Sequence, residues 1–535
     1  MRMSWRWIAA GAWLVLLVAT GLMVVPSQWK ARQARLGAER EHRQAPVAEI
    51  APAPLPTALP LVGADGQDAD GYPTRYVDRA ALRSLLWHKR YADLTRYLEE
   101  FQAAFDVDAR REYWPIDAAE AFMSAEPDLL PALNAWVEAT PGSFAPYLAR
   151  GNHWVGVAYA RRGGKWARDT ATEDFVAMGE AMNRGMADVD RAIALRPRLV
   201  AAWRPKINVL KTRGAGPEVR QAVDDALTVC PACFQVRATY ITSLLPRWGG
   251  SYEAMRSFAQ EADASLNPRL RLLPGYIDQD RAQLLVLDRK YEEALMAIDR
   301  ACALGDYWEF LEERAGIRDR LKDGTGALAD VERAIATRPG QPRLVILRAY
   351  LHYRAQRWEP AGRDLLAGLR MDPTDDTARF ILDTVVKGLV YQGWVHHQAG
   401  RREEALQVYD LAAELAPRNQ EVQGRRRAII AGASESSPDE VARLEEQVQR
   451  SPDDFRALQQ LGYALARRGE FQRIVDLYTA YLARHPQDGQ AYLERGGAYF
   501  HLRRLPEARA DARRACELGV SEGCAREKQV SAMQQ

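Results

Sequence analysis

The chain has 535 residues, of which 47% are hydrophobic and 27% charged, with a formal net charge of +2. That much apolar material excludes global disorder and suffices for roughly three or four ordinary domains, or for one continuous solenoid. Near-neutral charge with dispersed basic residues leaves no electrostatic footprint for nucleic acid, so no nucleic-acid partner is expected.

Ile8 to Val25 is an 18-residue stretch without a charge, preceded by Arg2 and Arg6 and followed by Lys30, Arg32 and Arg35. That length spans a bilayer. Trp5, Trp7 and Trp29 fall where the headgroups would be, the position indole rings prefer. A cleaved secretory signal has a shorter apolar core ending in small residues of the A-x-A type, and no such site or lipobox cysteine follows Val25. Residues 1–43 therefore read as a single-pass transmembrane anchor, in contact with the membrane through residues 8–25, and its basic flank. Two arguments on orientation oppose each other. Lys30, Arg32, Arg35, Arg40 and Arg43 outnumber the basic residues before the span and would hold the body in the cytoplasm, whereas a short basic tail ahead of a first apolar segment stays inside and exports the body.

Residues 44–74 carry Pro46, Pro52, Pro54, Pro56 and Pro60 among alanines and leucines, then Gly63, Gly66 and Gly71 with acidic neighbours. Proline at this density favours extended polyproline II, which predicts a semi-rigid spacer. From about Arg75 the pattern turns helical. Leu82, Leu85 and Leu86, then Leu94, Leu98, Phe101 and Phe105, keep three- and four-residue spacing with charges between them. Pro197 and Pro231 are 34 residues apart, so worn helical hairpins begin early. The tryptophan helix at Trp136, the string Arg161-Arg162-Gly163 and the string Pro246-Arg247-Trp248-Gly249-Gly250-Ser251 resemble a bacterial domain family of unknown function that commonly precedes tetratricopeptide repeats. The resemblance covers roughly 75–270 and implies no known chemistry. Pro246 to Ser251 reads as a turn between helices with a packed indole.

Cys230-Pro231-Ala232-Cys233 has the spacing of a redox pair, which a thioredoxin-type site places at a helix N-terminus after a strand. Pro231 stands instead at a hairpin's terminal-proline position, which puts the pair at the end of a helix. A thiol-disulfide redox protein using Cys230 and Cys233 is the catalytic alternative to a binding protein.

Alanines at 294, 327, 361, 405 and 508 and prolines at 339, 373, 417, 452 and 486 recur at a period near 34, the signature of stacked helical hairpins. Units run 275–307, 308–341, 342–375, 386–419, 455–488 and 489–522. Each has a small residue where its two helices cross: Ala282, Ala315, Ala349, Gly393, Gly462 and Gly496. A bulkier side chain there would hold the helices apart. The turn before the second helix often carries an aromatic residue at the seventeenth position, Tyr291, Trp358 or Phe471, with Leu505 as a weaker equivalent. This is the tetratricopeptide pattern. It is interrupted at 376–385, and at 420–454 it becomes an irregular seventh hairpin whose second helix starts at Ser437-Pro438-Asp439-Glu440 after a mobile inner loop.

Such a stack binds on the concave face lined by the first helix of each unit, at its second, fifth, ninth, twelfth and thirteenth positions. Those offsets select Arg343, Tyr350, Tyr353 and Arg354, then Lys387, Trp394, His397 and Gln398, then Arg456, Gln459, Tyr463 and Arg467, and finally Phe500 and His501. Basic groups alternating with aromatic rings suit an acidic or C-terminal peptide. Tyr350, Trp394 and Tyr463 stand where carboxylate-clamping members of the family carry asparagine. At the end of the stack, Cys516 and Cys524 resemble the cysteine pair of Sel1-like repeats. That resemblance implies a disulfide between adjacent helices, an oxidising compartment and an exported body.

The expected fold is all-α: an α-solenoid of helical hairpins, a tetratricopeptide-like superhelix over 275–522 with a capping helix and tail over 523–535, after an N-terminal transmembrane helix and a Pro-rich spacer. No phosphate loop, catalytic triad or HExxH motif occurs, so an enzyme is not expected, nor a metal, a cofactor or a small-molecule substrate. The expected function is a scaffold or adaptor in the bacterial inner membrane, with other proteins or peptides as partners and its body in the periplasm. A cytoplasm-facing regulatory scaffold is the alternative.

Overall fold

The computed structural model describes residues 50–163, 169–212, 216–431 and 438–534. The candidate anchor at 8–25, its flank and the inner loop of the seventh hairpin lie outside them. Among the described residues, no helix is long and apolar enough to cross a membrane. The regular structure of the described residues is helical apart from one antiparallel pair of two-residue strands, Leu61–Val62 and Tyr76–Val77, with Leu61 opposite Val77, and an isolated bridge from Gln67 to Pro73. Two compact units divide the chain, one ending at Leu382 and the other starting at Asp383.

In the first unit, the stretch predicted as a spacer is extended, as its prolines demand, but docked along the helices from residue 50 onward. The Ser84 hydroxyl donates to the Ala53 carbonyl at 2.5 Å, and Asp70 pairs with Arg271 at 2.5 Å. Tyr72, Tyr76 and Val77 are fully buried. The local signal, proline density, specifies an extended backbone; the aromatic and acidic residues after it decide that the backbone is strapped down.

Buried charge ties this strap to the helices. The Tyr72 hydroxyl donates to Glu112 at 2.7 Å, and Glu112 also accepts the Phe234 and Gln235 amides at 3.1 and 2.9 Å at the start of helix Phe234–Ile241. Those amides have no partner within the helix, so a carboxylate there is favoured by hydrogen bonding and by the helix dipole. Burial still holds the Glu112 carboxyl above the ordinary glutamate range. Asp117 pairs with two buried arginines, Arg79 at 2.5 Å and Arg338, and the Arg338 guanidinium lies 3.7 Å from the centre of the Tyr113 ring. Trp136 is fully buried, and its indole N–H donates to the Thr95 hydroxyl at 2.9 Å. Helices Phe144–Arg162 and Thr172–Leu195 cross at two glycines: a Cβ on Gly151 would meet the Gly185 carbonyl at 3.2 Å, and one on Gly185 would meet the Gly151 carbonyl at 3.1 Å.

The first helices of the repeats begin at Gly275, Trp308, Pro342, Phe455 and Gly489, as the period predicts. The remaining one runs from Asp376 to Gln398 without a break, so the predicted interruption at 376–385 is a helical extension. No proline or glycine intervenes before Gly388, and the Asp375 carboxylate accepts the Ala378 amide at 2.8 Å at its start. Helices Gln420–Ala431 and Pro438–Arg450 supply the irregular hairpin.

The small crossing residues do what their size demands. A Cβ on Gly393 would meet the Tyr409 ring at 2.9 Å, and one on Gly462 would meet the Tyr478 hydroxyl at 3.0 Å. A recurring fork also joins the two helices of a hairpin: Arg314 to Asp330, Arg348 to Asp364 and Arg495 to Asp511, each with two N–H···O bonds of 2.7 to 2.9 Å. Bidentate pairs of this kind fix orientation as well as distance. In all six regular units the fifteenth residue takes a left-handed conformation: Arg289, Lys322, Gln356, Gly400, Gly469 and Arg503, at φ values from 54 to 72°.

Candidate functional site

The residues selected for the concave face separate into those already paired and those left open. In the first unit, Arg343 pairs with Glu312 at 2.9 Å and Arg354 with Asp319 at 3.1 Å, so acidic residues of the preceding repeat neutralise both. Tyr350 and Tyr353 pack with ring centres 6.1 Å apart. In the second unit, Lys387 pairs with Asp383 at 2.6 Å, and the Gln459 amide donates to Glu494 at 3.1 Å. Trp394 is partly buried between Phe471 and His501, with ring centres 5.5 and 6.0 Å away, so it is a packing residue rather than an open contact. Gln398 packs against Gly469, and His397 is half-buried. Arg456 is exposed and Tyr463 is 54% exposed. The Arg467 side chain lies outside what the structure describes. Phe500 and His501 line a cavity of about 280 Å³ closed by Gly497, Arg526 and Val530, and His501 stacks on Phe471 at 4.3 Å.

A second cavity, of about 300 Å³, lies in the first unit where the early helical region meets the first three repeats. Tyr276, Gln279, Gln283, Glu309, Glu312 and Arg343 wall it, and all six occupy the second, fifth or ninth position of a first helix. The offset rule that selected Arg343 would have found the other five had it been carried back two units. Lys211, Thr242, Leu245, Arg247, Trp248, Asp280 and Glu313 complete the wall. No repeat register predicts them, because they come from outside the repeats or from off-register positions. Arg247 pairs with Asp280 at 2.8 Å, and the Gln283 amide donates to Glu313 at 2.9 Å. Burial, with Glu309 and Glu313 as like-charged neighbours, pushes the Glu312 carboxyl up to about 7 despite Arg343. Burial, reinforced by Arg204 and Arg247, lowers the Lys211 ammonium to about 8. Trp248 belongs to the predicted turn, but its indole is 44% exposed on the rim rather than packed.

The domain of unknown function DUF4034 matches residues 78–215 and 222–267, and a tetratricopeptide repeat family matches residues 460–519. The chain is a tetratricopeptide repeat protein with a DUF4034 domain ahead of its repeats. Among solved structures, the P58(IPK) tetratricopeptide repeat domain is 16% identical, with 76% of this chain and 94% of that one covered at a TM-score of 0.22. A tetratricopeptide repeat protein from Parabacteroides merdae is 14% identical over 48% of this chain and 98% of its own, at a TM-score of 0.25. Likeness at this level bears on neither partner nor chemistry. No curated protein matches the chain.

Within the DUF4034 domain, Cys230 ends helix Pro217–Val229 and Cys233 caps the start of helix Phe234–Ile241, so the pair occupies a turn between helices, not simply a helix end as expected. The two are joined in a disulfide and are 3% and 0% exposed. Thiol-disulfide exchange needs an attacking thiolate to reach a sulfur atom, and burial removes that route. At the end of the repeats, a disulfide joins Cys516 to Cys524 with their Cα atoms 4.7 Å apart, linking helices Leu505–Glu517 and Ser521–Gln534.

Proposed function

We propose that this protein is a membrane-anchored, non-catalytic scaffold of the bacterial cell envelope that gathers partner proteins through its repeats. The observation that carries the reading is the ladder of helical hairpins, each presenting a polar and aromatic first-helix face, an architecture suited to binding extended or helical segments of other proteins. In the second unit the open groups among the selected residues are Arg456 and Tyr463, and they suit an acidic peptide segment. The apolar stretch at 8–25 supports attachment to the inner membrane in a single pass. Two disulfides support a periplasmic body, since such bonds persist in oxidising compartments.

Capture from detergent-solubilised membranes, read by mass spectrometry, tests the scaffold: Arg456→Ala with Tyr463→Ala should remove the proteins recovered with the unaltered chain while leaving its melting temperature unchanged. An unchanged set of captured proteins would contradict the second-unit surface. Alkaline phosphatase fused after Gln535 should be active, and an inactive reporter would place the body in the cytoplasm.

A further inference from the structure

The cavity of the first unit is lined by charges that do not balance. Arg247 is engaged with Asp280 and Arg343 with Glu312. Glu309, Glu312 and Glu313 project from one turn of helix Trp308–Arg320; Glu312 pairs with Arg343, whose side chain is itself 65% exposed, and Glu309 faces Lys211 and Arg204. The Tyr307 hydroxyl donates to Glu309 at 3.1 Å and the Gln283 amide to Glu313, but neither brings positive charge. Lys211, contributed by the DUF4034 domain, is the cation of this wall that has neither an ion pair nor a hydrogen bond among the described residues. Three carboxylates one helical turn apart repel one another, and a cation placed among them relieves that repulsion where water is partly excluded. Trp248 on the rim offers an exposed ring face, the surface on which an aliphatic stem or a guanidinium packs.

We propose that this cavity receives an arginine or lysine side chain from a basic segment of a partner protein, its charged head against Glu309, Glu312 and Glu313 and its stem along Trp248. The inference rests on the scaffold reading and gives its first unit a ligand chemistry opposite to that of the second. An acidic segment would meet three carboxylates there. The DUF4034 domain thereby acquires a role, since Lys211, Arg247 and Trp248 complete a pocket that the repeats alone leave open.

Titration calorimetry of the full chain in detergent, with acetyl-Gly-Arg-Gly-amide and its glutamate counterpart, tests this. The arginine peptide should bind and the glutamate peptide should not. Affinity for the arginine peptide should rise severalfold between pH 6.5 and 8.5. Over that range Glu312, facing Arg343, Glu309 and Glu313, loses its proton, and Lys211, facing Arg204, Arg247 and Glu309, begins to lose its own, while burial keeps the Tyr276 hydroxyl protonated. Both losses make the cavity more negative. Glu309→Gln with Glu313→Gln, which leaves the Glu312–Arg343 pair intact, should lower affinity at least tenfold, and Lys211→Met should raise it. Equal binding of the two peptides, or an affinity indifferent to both variants, would overturn the proposal, and so would putrescine binding as tightly as the arginine peptide. Capture through Arg456 and Tyr463 is measured independently, so failure here leaves the scaffold itself standing.

Discussion

The two units carry the same hairpin but are held together differently. In the first, charged side chains run through the interior: Arg79, Asp117, Glu112, Arg269 and Arg338 are all below 9% exposed. In the second, Asp511 is the one charged residue buried to that degree among the described residues, and the core around Leu458, Ile474, Tyr478 and Tyr481 is aliphatic and aromatic. Buried ion pairs add little net stability, because desolvating both partners offsets their attraction, but removing one partner is severe. The first unit is thus specified by polar contacts with particular distant partners, and the second by packing between neighbours.

The largest effect should come from Asp117→Ala, which leaves Arg79 and Arg338 buried without their shared carboxylate. It should cost the first unit about 3–5 kcal/mol or more, seen as lost amide protection in hydrogen exchange across that unit, whereas Asp511→Ala in the second should cost about 1–3 kcal/mol. Equal losses would erase the contrast. Gly393→Ala sets a methyl against the Tyr409 ring and should cost about 1–3 kcal/mol, confined to second-unit amides. The smallest effect concerns what the units share. Gln356→Gly places glycine in the left-handed turn that Gly400 and Gly469 already use, and should raise stability by up to about 1 kcal/mol; a loss in denaturant melts would show that the Gln356 side chain matters more than its backbone.

The repeats were legible because their determinants are local. Period, crossing residue and helix ends lie within 34 residues of one another, and the first helices begin where the alanine and proline ladder places them. The helical extension at 376–385 was misread because the ladder skips there, although the segment lacks any helix-breaking residue. Less legible were the strap and the buried charges. Nothing near Arg338 announces Asp117, which lies 221 residues away, and a run of prolines reads alike whether the chain is free or strapped down. In the candidate site, the repeat register located Arg343 and could have located Glu309 and Glu312, but Lys211 and Trp248 enter from outside it. Trp394 was misassigned because the ninth position faces the groove only where no neighbouring ring covers it.

The docked strap also bears on the order in which the protein can be made. Ala51 accepts a hydrogen bond from Arg370, a residue 319 positions later. At the usual pace of synthesis, about 5–20 residues per second, the strap emerges roughly 15–60 s before this partner exists. Solenoids ordinarily mature repeat by repeat as they appear. Here the earliest-made segment of the described chain waits for a late partner, so an incomplete chain ending before the third repeat would leave the strap at Ala51 without its contact to Arg370.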